Sequence, residues 1–152
     1  MNSEPEIREI PAQSAAVKRA ESDAAGLVAA IDTGFAALFA QLAKLDVQPS
    51  GAPYIRYLET RGPLQVELGV PVTSGREPLN GLERGELPAG RVAMLRHIGP
   101  YEELRDACAR LISWVEQRGE AASGPHWEVY VTNPADEPDP SKRITDIFLP
   151  LQ

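Results

Sequence analysis

The residues best suited to chemistry lie in one short run, Trp127-Glu128-Val129-Tyr130. If this run is a β-strand, its side chains alternate between two faces, so Glu128 and Tyr130 project together. A carboxylate among aromatic rings is costly to remove from water unless it meets a cation or a hydrogen-bond donor, and aromatic faces attract the same cations. The run therefore predicts recognition of flat, apolar, cationic molecules. The alternative is that Glu128 faces solvent on an open sheet.

A repeat along the chain supplies a matching pair of residues in the first half. Residues 9–19 are echoed by residues 86–96, and residues 51–58 are echoed by residues 124–131 in the same order. The second echo aligns Tyr57 with Tyr130 and Ile55 with Glu128. Two copies packed about a pseudo-twofold axis leave a cleft, which is where small-molecule pockets tend to form. We expect that cleft to hold two tyrosines and one carboxylate.

Apolar spacing and turn residues predict a duplicated strand-helix-strand-strand unit, hence an α+β fold with two antiparallel sheets about the cleft. The prediction is one domain over residues 1–152, with a first repeat at about 6–72, a connection without regular structure at 73–89 and a second repeat at about 90–150. The predicted strands are 6–20, 54–59, 64–72, 90–97, 127–132 and 143–149, and residues 133–142 form a loop. One helix follows a cap at Ser22 or Asp23, and the other runs from Pro100 to Arg118.

Charge and composition narrow the partners. With 15 Lys plus Arg against 22 Asp plus Glu, the net charge is −7, and no basic cluster is segregated. Direct nucleic-acid binding is therefore disfavoured. The acidic N-terminus lacks the order of a signal peptide, and no apolar run approaches about 20 residues, so we expect a cytoplasmic protein that does not bind membranes.

The remaining chemically active residue types favour structural roles. The single cysteine, Cys108, excludes an internal disulfide and a cysteine zinc cluster, and its helical spacing from Leu111 indicates an inert core thiol. His97 before Gly99 favours a structural role in a turn, and His126 is expected at a strand rim. Polar faces of outer strands predict that Glu67 and Asp146 are solvated. No metal or cofactor is predicted.

A longer pattern around these residues resembles a known family. A pattern in three parts is similar to the GyrI-like small-molecule-binding domain. Its parts are Leu95-Arg96-His97-Ile98-Gly99-Pro100-Tyr101-Glu102-Glu103-Leu104, Leu111-Ile112-Ser113-Trp114 and residues 127–134. That family also supplies the effector-binding domain of AraC-type and MerR-type transcription regulators. The resemblance covers nearly the whole chain and implies the duplicated fold. It departs from the regulators in that no DNA-binding region precedes the first strand.

The resemblance leaves three classes of function open. The first is a stand-alone module that binds a hydrophobic or cationic small molecule, as a monomer or weak homodimer. The second is a hydrolase of strained, cyclopropane-containing alkylating agents, in which Glu128 activates water and Tyr130 or Tyr57 donates a hydrogen bond to the developing oxyanion. The third is a protein-interaction module of the gyrase-inhibitor type. The candidate ligand-binding residues are Glu128, Tyr130, Tyr57, Ile55, Trp114, Tyr101 and Phe148, with Trp114 alternatively a core residue.

Overall fold

The structure, a computed structural model, describes residues 2–23, 25–59, 61–73, 82–132 and 137–152. Over these residues the chain forms antiparallel strands and two α-helices, divided between two compact units. Unit 1 comprises Met1–Pro11 and Ala89–Gln152, and unit 2 comprises Ala12–Pro88. The elements are β1 (Glu6–Ile10), β2 (Gln13–Ser22), α1 (Leu27–Lys44), β3 (Tyr54–Glu59), β4 (Leu64–Pro71), β5 (Glu83–Leu87), β6 (Gly90–Ile98), α2 (Leu104–Gln117), β7 (Trp127–Tyr130) and β8 (Ile144–Pro150). The predicted α+β class is confirmed.

Unit 2 packs α1 against strands arranged in the order β3-β4-β2-β5. Leucines recur along one side of α1, and Leu38 and Leu42 are fully buried against Val70 and Val72 of the sheet region. The helix lies close to β4 because Gly34 has no side chain: a Cβ there would collide with the Leu68 side chain. The side chains of Leu68 and Val70 therefore mark the sheet face that α1 covers.

Unit 1 packs α2 against strands arranged in the order β1-β6-β8-β7. Leu104 and Leu111 of α2 meet Leu95 of β6 and Ile147 of β8 in one buried cluster. A 3₁₀ turn, Tyr101–Glu103, precedes α2, and Gly119 ends the helical region in the left-handed conformation with φ of 74°. Leu95 and Ile147 thus mark the sheet face of unit 1 that α2 covers.

Two predictions about the strands are wrong. Residues 6–20 form two strands rather than one, because the chain turns at Pro11: β1 pairs with β6 in unit 1, whereas β2 pairs with β4 and β5 in unit 2. The connection predicted at 73–89 contains strand β5, and residues 74–81 of it lie outside the described residues. Gly85 fits β5 because the place of its missing Cβ lies only 2.6 Å from a Val17 methyl.

The other predicted elements agree closely with the structure. The predicted helix begins at Leu27, but the cap predicted at Ser22 or Asp23 is wrong: Gly26 is the N-cap, and Ser22 ends β2. The Asp23 carboxylate accepts a hydrogen bond from the Gly26 N–H at 2.8 Å. Residues 133–136 of the predicted loop lie outside the described residues. The order β6-β8-β7 in unit 1 has the same sequence of parts as β2-β4-β3 in unit 2. Duplication, and two sheets about a pseudo-twofold cleft, stay predictions.

Helix α1 is more apolar than expected for a surface helix. Its 18 residues have a mean hydropathy of 1.4, and only 17% of them are buried. By length and composition alone such a helix could cross a membrane, but core helices pass the same test and Leu38 of α1 is packed in unit 2. Location in the cytoplasm stays a prediction.

Candidate functional site

Glu128 and Tyr130 lie on the face of unit 1 that α2 covers. In the antiparallel pair of β7 and β8, Glu128 is directly opposite Ile147 and Tyr130 is directly opposite Thr145. Opposed residues in such a pair project to the same face, and Ile147 belongs to the core beneath α2. Glu128 is only 5% exposed. The alternative of a solvated Glu128 is therefore wrong in this structure.

The Glu128 carboxylate belongs to a group with two tyrosines: Tyr130 contacts Glu128, and Tyr101 contacts Tyr130. The Tyr130 hydroxyl donates a hydrogen bond to Glu128 Oε1 at 2.8 Å, and the ring of Tyr101 meets the ring of Tyr130 edge-on, with centroids 5.8 Å apart. Burial raises the pKa of Tyr101, while the nearby charge of Arg143 acts in the opposite direction. Tyr101 is therefore a neutral phenol at neutral pH. The arrangement combines a buried carboxyl group with two aromatic rings.

Arg143 completes this group of residues. Its guanidinium carbon lies 5.1 Å from the centroid of the Tyr101 ring, which is a cation–π distance. Sequence reasoning did not single out Arg143, because a lone arginine at the start of a strand carries no motif. Its proximity to Tyr101 depends on the 3₁₀ turn that brings Tyr101 beside β8.

The negative charge of Glu128 affects the pKa of the Cys108 thiol. Burial raises the pKa of the Cys108 thiol to about 11, and the negative charge of Glu128 contributes in the same direction. The thiol packs against the core of unit 1, as expected for an inert cysteine. A change in the charge of Glu128 is therefore expected to change the reactivity of Cys108.

We expect Glu128→Gln to accelerate alkylation of Cys108. Removing the negative charge lowers the thiol pKa, so at pH 8 a larger fraction is thiolate, and the rate with iodoacetamide should rise about two- to fivefold. Mass spectrometry of the intact protein measures the rate. Glu116→Gln, at an exposed position of α2, is the matched control and should leave it unchanged. Equal rates in the wild type and in Glu128→Gln would mean that Glu128 carries no charge near the thiol.

The other predicted site residues are distributed over both units. In unit 1, Trp114 is half-buried against the core with the Arg118 guanidinium 4.7 Å from its ring, so its reading as a core residue fits. Phe148 stacks on Trp127, with centroids 5.6 Å apart, on the face opposite to Glu128. In unit 2, Ile55 is opposite Leu68 and Tyr57 is opposite Val66, so both face the side covered by α1. The structure thus groups Glu128, Tyr130 and Tyr101, and separates Phe148 from them.

Sequence reasoning missed a second buried carboxylate, Glu67 of unit 2. Glu67 is 6% exposed, lies 3.5 Å from the Tyr54 hydroxyl and 3.9 Å from Arg56 Nη1, and is directly opposite Arg56 in the strand register. Burial, followed by the charge of Glu67, raises the pKa of Tyr54. The ring of Tyr54 lies where a side chain on Gly69 would have to be. The prediction that Glu67 is solvated is therefore wrong.

Asp146 of unit 1 is also a buried carboxylate that lies opposite an arginine of the neighbouring strand. It is 7% exposed and accepts two hydrogen bonds from Arg96, from Nε at 2.8 Å and from Nη2 at 3.0 Å. Arg96 and Asp146 are opposed in the register of β6 and β8. The prediction that Asp146 is solvated is wrong, because the sequence does not show which arginine a strand pairing brings opposite.

The histidines have structural surroundings. His97 is 2% exposed; its Nδ1 lies 2.6 Å from Asn2 Oδ1 and its Nε2 lies 3.2 Å from the Pro100 carbonyl oxygen. It therefore ties the N-terminal segment to the turn before α2, in line with the predicted turn role. Burial lowers the pKa of His126, which keeps its imidazole neutral at pH 7.

Comparison with known families assigns the chain. The family model described as the GyrI-like small molecule binding domain matches residues 3–152. The chain belongs to this family. A comparison with curated proteins gave no match.

Solved structures share the fold at low sequence identity. The crystal structure of the EcmrR C-terminal domain is 20% identical with a TM-score of 0.76, and the alignment covers 98% of this chain and 97% of that one. In the EcmrR–DNA complex the TM-score is 0.83 at 20% identity, with 98% of this chain covered, but this chain spans only 57% of that one. A hydrolase from Listeria innocua has a TM-score of 0.68 at 15% identity, with coverages of 97% and 91%. SAV2435 bound to tetraphenylphosphonium has a TM-score of 0.66 at 13% identity, with coverages of 99% and 94%.

Proposed function

We propose that this GyrI-like domain binds apolar, cationic small molecules through Glu128, with Tyr130 and Tyr101 as an aromatic wall. The observation that carries the proposal is the burial of the Glu128 carboxylate, 5% exposed, beneath the Tyr130 phenol that donates to it. The family supplies small-molecule binding in general. The chemistry of Glu128 supplies the preference for positive charge.

The preference follows from the cost of burying a carboxylate. The phenol hydrogen bond from Tyr130 orients Glu128 and carries no net charge. A ligand cation that reaches Glu128 places an opposite charge beside it in a medium of low dielectric constant, and the ring of Tyr130 adds cation–π attraction. An apolar monocation gains from both terms. Tetraphenylphosphonium, which SAV2435 binds, is such a molecule and is a suitable probe.

Several finer predictions are part of this proposal. Tyr57, Ile55, Trp114 and Phe148 stay predictions as ligand contacts. So do the monomeric or weakly dimeric state and the lack of nucleic-acid or membrane partners.

Glu128→Gln is expected to separate cationic from neutral ligands. The amide keeps the shape of the side chain and removes its charge, so affinity for tetraphenylphosphonium should fall about tenfold or more, because the Coulombic attraction between carboxylate and phosphonium is lost. Affinity for neutral triphenylphosphine oxide should change less than threefold. Isothermal titration calorimetry on both ligands gives the two dissociation constants.

Glu67→Gln is the matched control for this experiment. Glu67 is also a buried glutamate beside a tyrosine, but it lies in unit 2. Its amide variant should retain the affinity for tetraphenylphosphonium. Equal losses for the cationic and the neutral ligand in Glu128→Gln would show that Glu128 does not recognise charge.

The bond between Tyr130 and Glu128 also favours a second candidate function, hydrolysis of strained cyclopropane-containing alkylating agents. Glu128 would take a proton from water while the water oxygen bonds to a ring carbon. The ring C–C bond would break, and its electron pair would move onto a conjugated carbonyl oxygen that accepts a hydrogen bond from a tyrosine. The 2.8 Å hydrogen bond supports this candidate, because a phenol donor and a carboxylate are adjacent to each other. The binding function alone requires no such base.

A further inference from the structure

Two buried polar atoms stand out in unit 1. Within the described ranges, Arg143 Nε and Thr145 Oγ1 are the only buried side-chain nitrogen or oxygen atoms without a hydrogen-bond partner. Thr145 is completely inaccessible to solvent. More than nine in ten buried polar groups in proteins are hydrogen-bonded, so two exceptions separated by a single residue need an explanation.

Both atoms border the site at Glu128. Thr145 is directly opposite Tyr130 in the register, on the sheet face that Glu128 shares. Arg143 lies two residues earlier in extended backbone, with φ of −69° and ψ of 137°, so its side chain leaves on the same side. Its guanidinium lies over Tyr101, whose ring contacts Tyr130.

The side chains that lie opposite Thr145 in the two neighbouring strands make their hydrogen bonds to other groups. Tyr130 donates its hydroxyl proton to Glu128. His97, opposite Thr145 on the other side, directs its ring nitrogens at Asn2 and at the Pro100 carbonyl. The Thr145 hydroxyl is therefore an uncommitted donor beside the group formed by Glu128, the two tyrosine rings and Arg143.

We propose that Arg143 Nε–H and the Thr145 hydroxyl form a hydrogen-bonding subsite for an acceptor oxygen of the ligand held at Glu128. Arg143 Nε can only donate, and a threonine hydroxyl can donate, so a carbonyl oxygen with two lone pairs suits both. The proposal rests on cation binding at Glu128 and narrows the ligand class. The preferred ligands are apolar cations that also carry a ketone, ester or amide oxygen.

Two phosphonium ions that differ by one acetyl group test the subsite. The wild type should bind (4-acetylphenyl)triphenylphosphonium about tenfold more tightly than tetraphenylphosphonium, because a hydrogen bond to a charged donor adds to the affinity. In Thr145→Val and in Arg143→Met the ratio of the two dissociation constants should fall to about twofold or less. Calorimetric titration measures each pair of constants.

Matched variants separate the subsite from general effects. Arg118→Met also removes a guanidinium stacked on an aromatic ring, that of Trp114, and should keep the acetyl advantage. Arg143→Leu is a second substitution that leaves no donor at this position and should also lose the advantage, which covers failure of Arg143→Met to fold. Thr145→Val should melt at the same temperature as the wild type or higher, because it removes a buried unsatisfied hydroxyl.

The outcomes distinguish failure of the subsite from failure of cation binding at Glu128, on which the subsite rests. If Glu128→Gln weakens both phosphonium ions but the acetyl group gives no advantage, or the advantage survives in Thr145→Val and Arg143→Leu, the subsite is wrong and cation binding stands. If Thr145→Val melts at a lower temperature and both ions weaken equally, the hydroxyl is structural and the subsite is also wrong. If both ions bind the wild type and Glu128→Gln equally tightly, cation binding at Glu128 fails and the subsite fails with it.

Discussion

Trp127→Ala is expected to lower the free energy of unfolding by about 3–5 kcal/mol, the range for deleting a large buried aromatic side chain. Trp127 is 1% exposed, opens β7 and stacks on Phe148 with an interplanar angle of 13°. Typical domains are stable by only about 5–15 kcal/mol, so a large share of the stability would be lost. Urea denaturation followed by circular dichroism measures the change.

Trp114→Ala is the control for this prediction. The chain has two tryptophans, and Trp114 is half-buried rather than enclosed, so its removal should cost clearly less. Trp127→Phe, which leaves a ring to stack on Phe148, should recover part of the loss. A larger loss for Trp114→Ala than for Trp127→Ala would mean that burial of Trp127 does not determine the stability of unit 1.

If the protein hydrolyses cyclopropane-containing alkylators, Glu128→Gln should slow ring opening by about 10²–10⁴-fold while leaving binding of the neutral substrate in place. The factor is that of removing a general base, since the amide fills the same space and cannot accept a proton. Mass spectrometry of the ring-opened product over a panel of such compounds measures turnover. The Glu128→Gln variant would then retain substrate binding and lose most of the turnover.

Tyr130→Phe completes the test. It removes the hydroxyl that donates to Glu128 and should slow ring opening less than Glu128→Gln does. Glu67→Gln should leave the rate unchanged. Ring opening by the wild type at no more than the buffer rate, with binding intact, would eliminate hydrolysis and leave the binding function.

The local features of the fold could be predicted because each has a signal within a few residues. The leucine spacing of α1, the alternation along β4 and the Gly99-Pro100 stop before α2 depend on neighbouring residues. The division of residues 6–20 into β1 and β2 could not be predicted, because the two strands differ in the distant partners with which they pair. Strand β5 was missed because Glu83-Arg84-Gly85-Glu86-Leu87 shows no apolar alternation.

The site was predictable to a similar degree. Alternation along a strand placed Glu128 and Tyr130 on one face, as the structure has them. Sequence reasoning did not predict that Arg143 stacks on Tyr101, or that Arg56 and Arg96 lie opposite Glu67 and Asp146, because such contacts depend on register between strands. Register depends on the whole sheet and has no local motif.

Because unit 1 is discontinuous in sequence and unit 2 is continuous, the two units are completed at different stages of translation. Residues 12–88 of unit 2 emerge as one continuous stretch and can fold as soon as β5 has been made. Strand β1 is synthesised first, but its partner β6 begins only at Gly90, so its hydrogen-bonding edge waits through the synthesis of all of unit 2. Strand β1 is thus translated before unit 2 but can pair with β6 only after unit 2, and until then its strand edge is open.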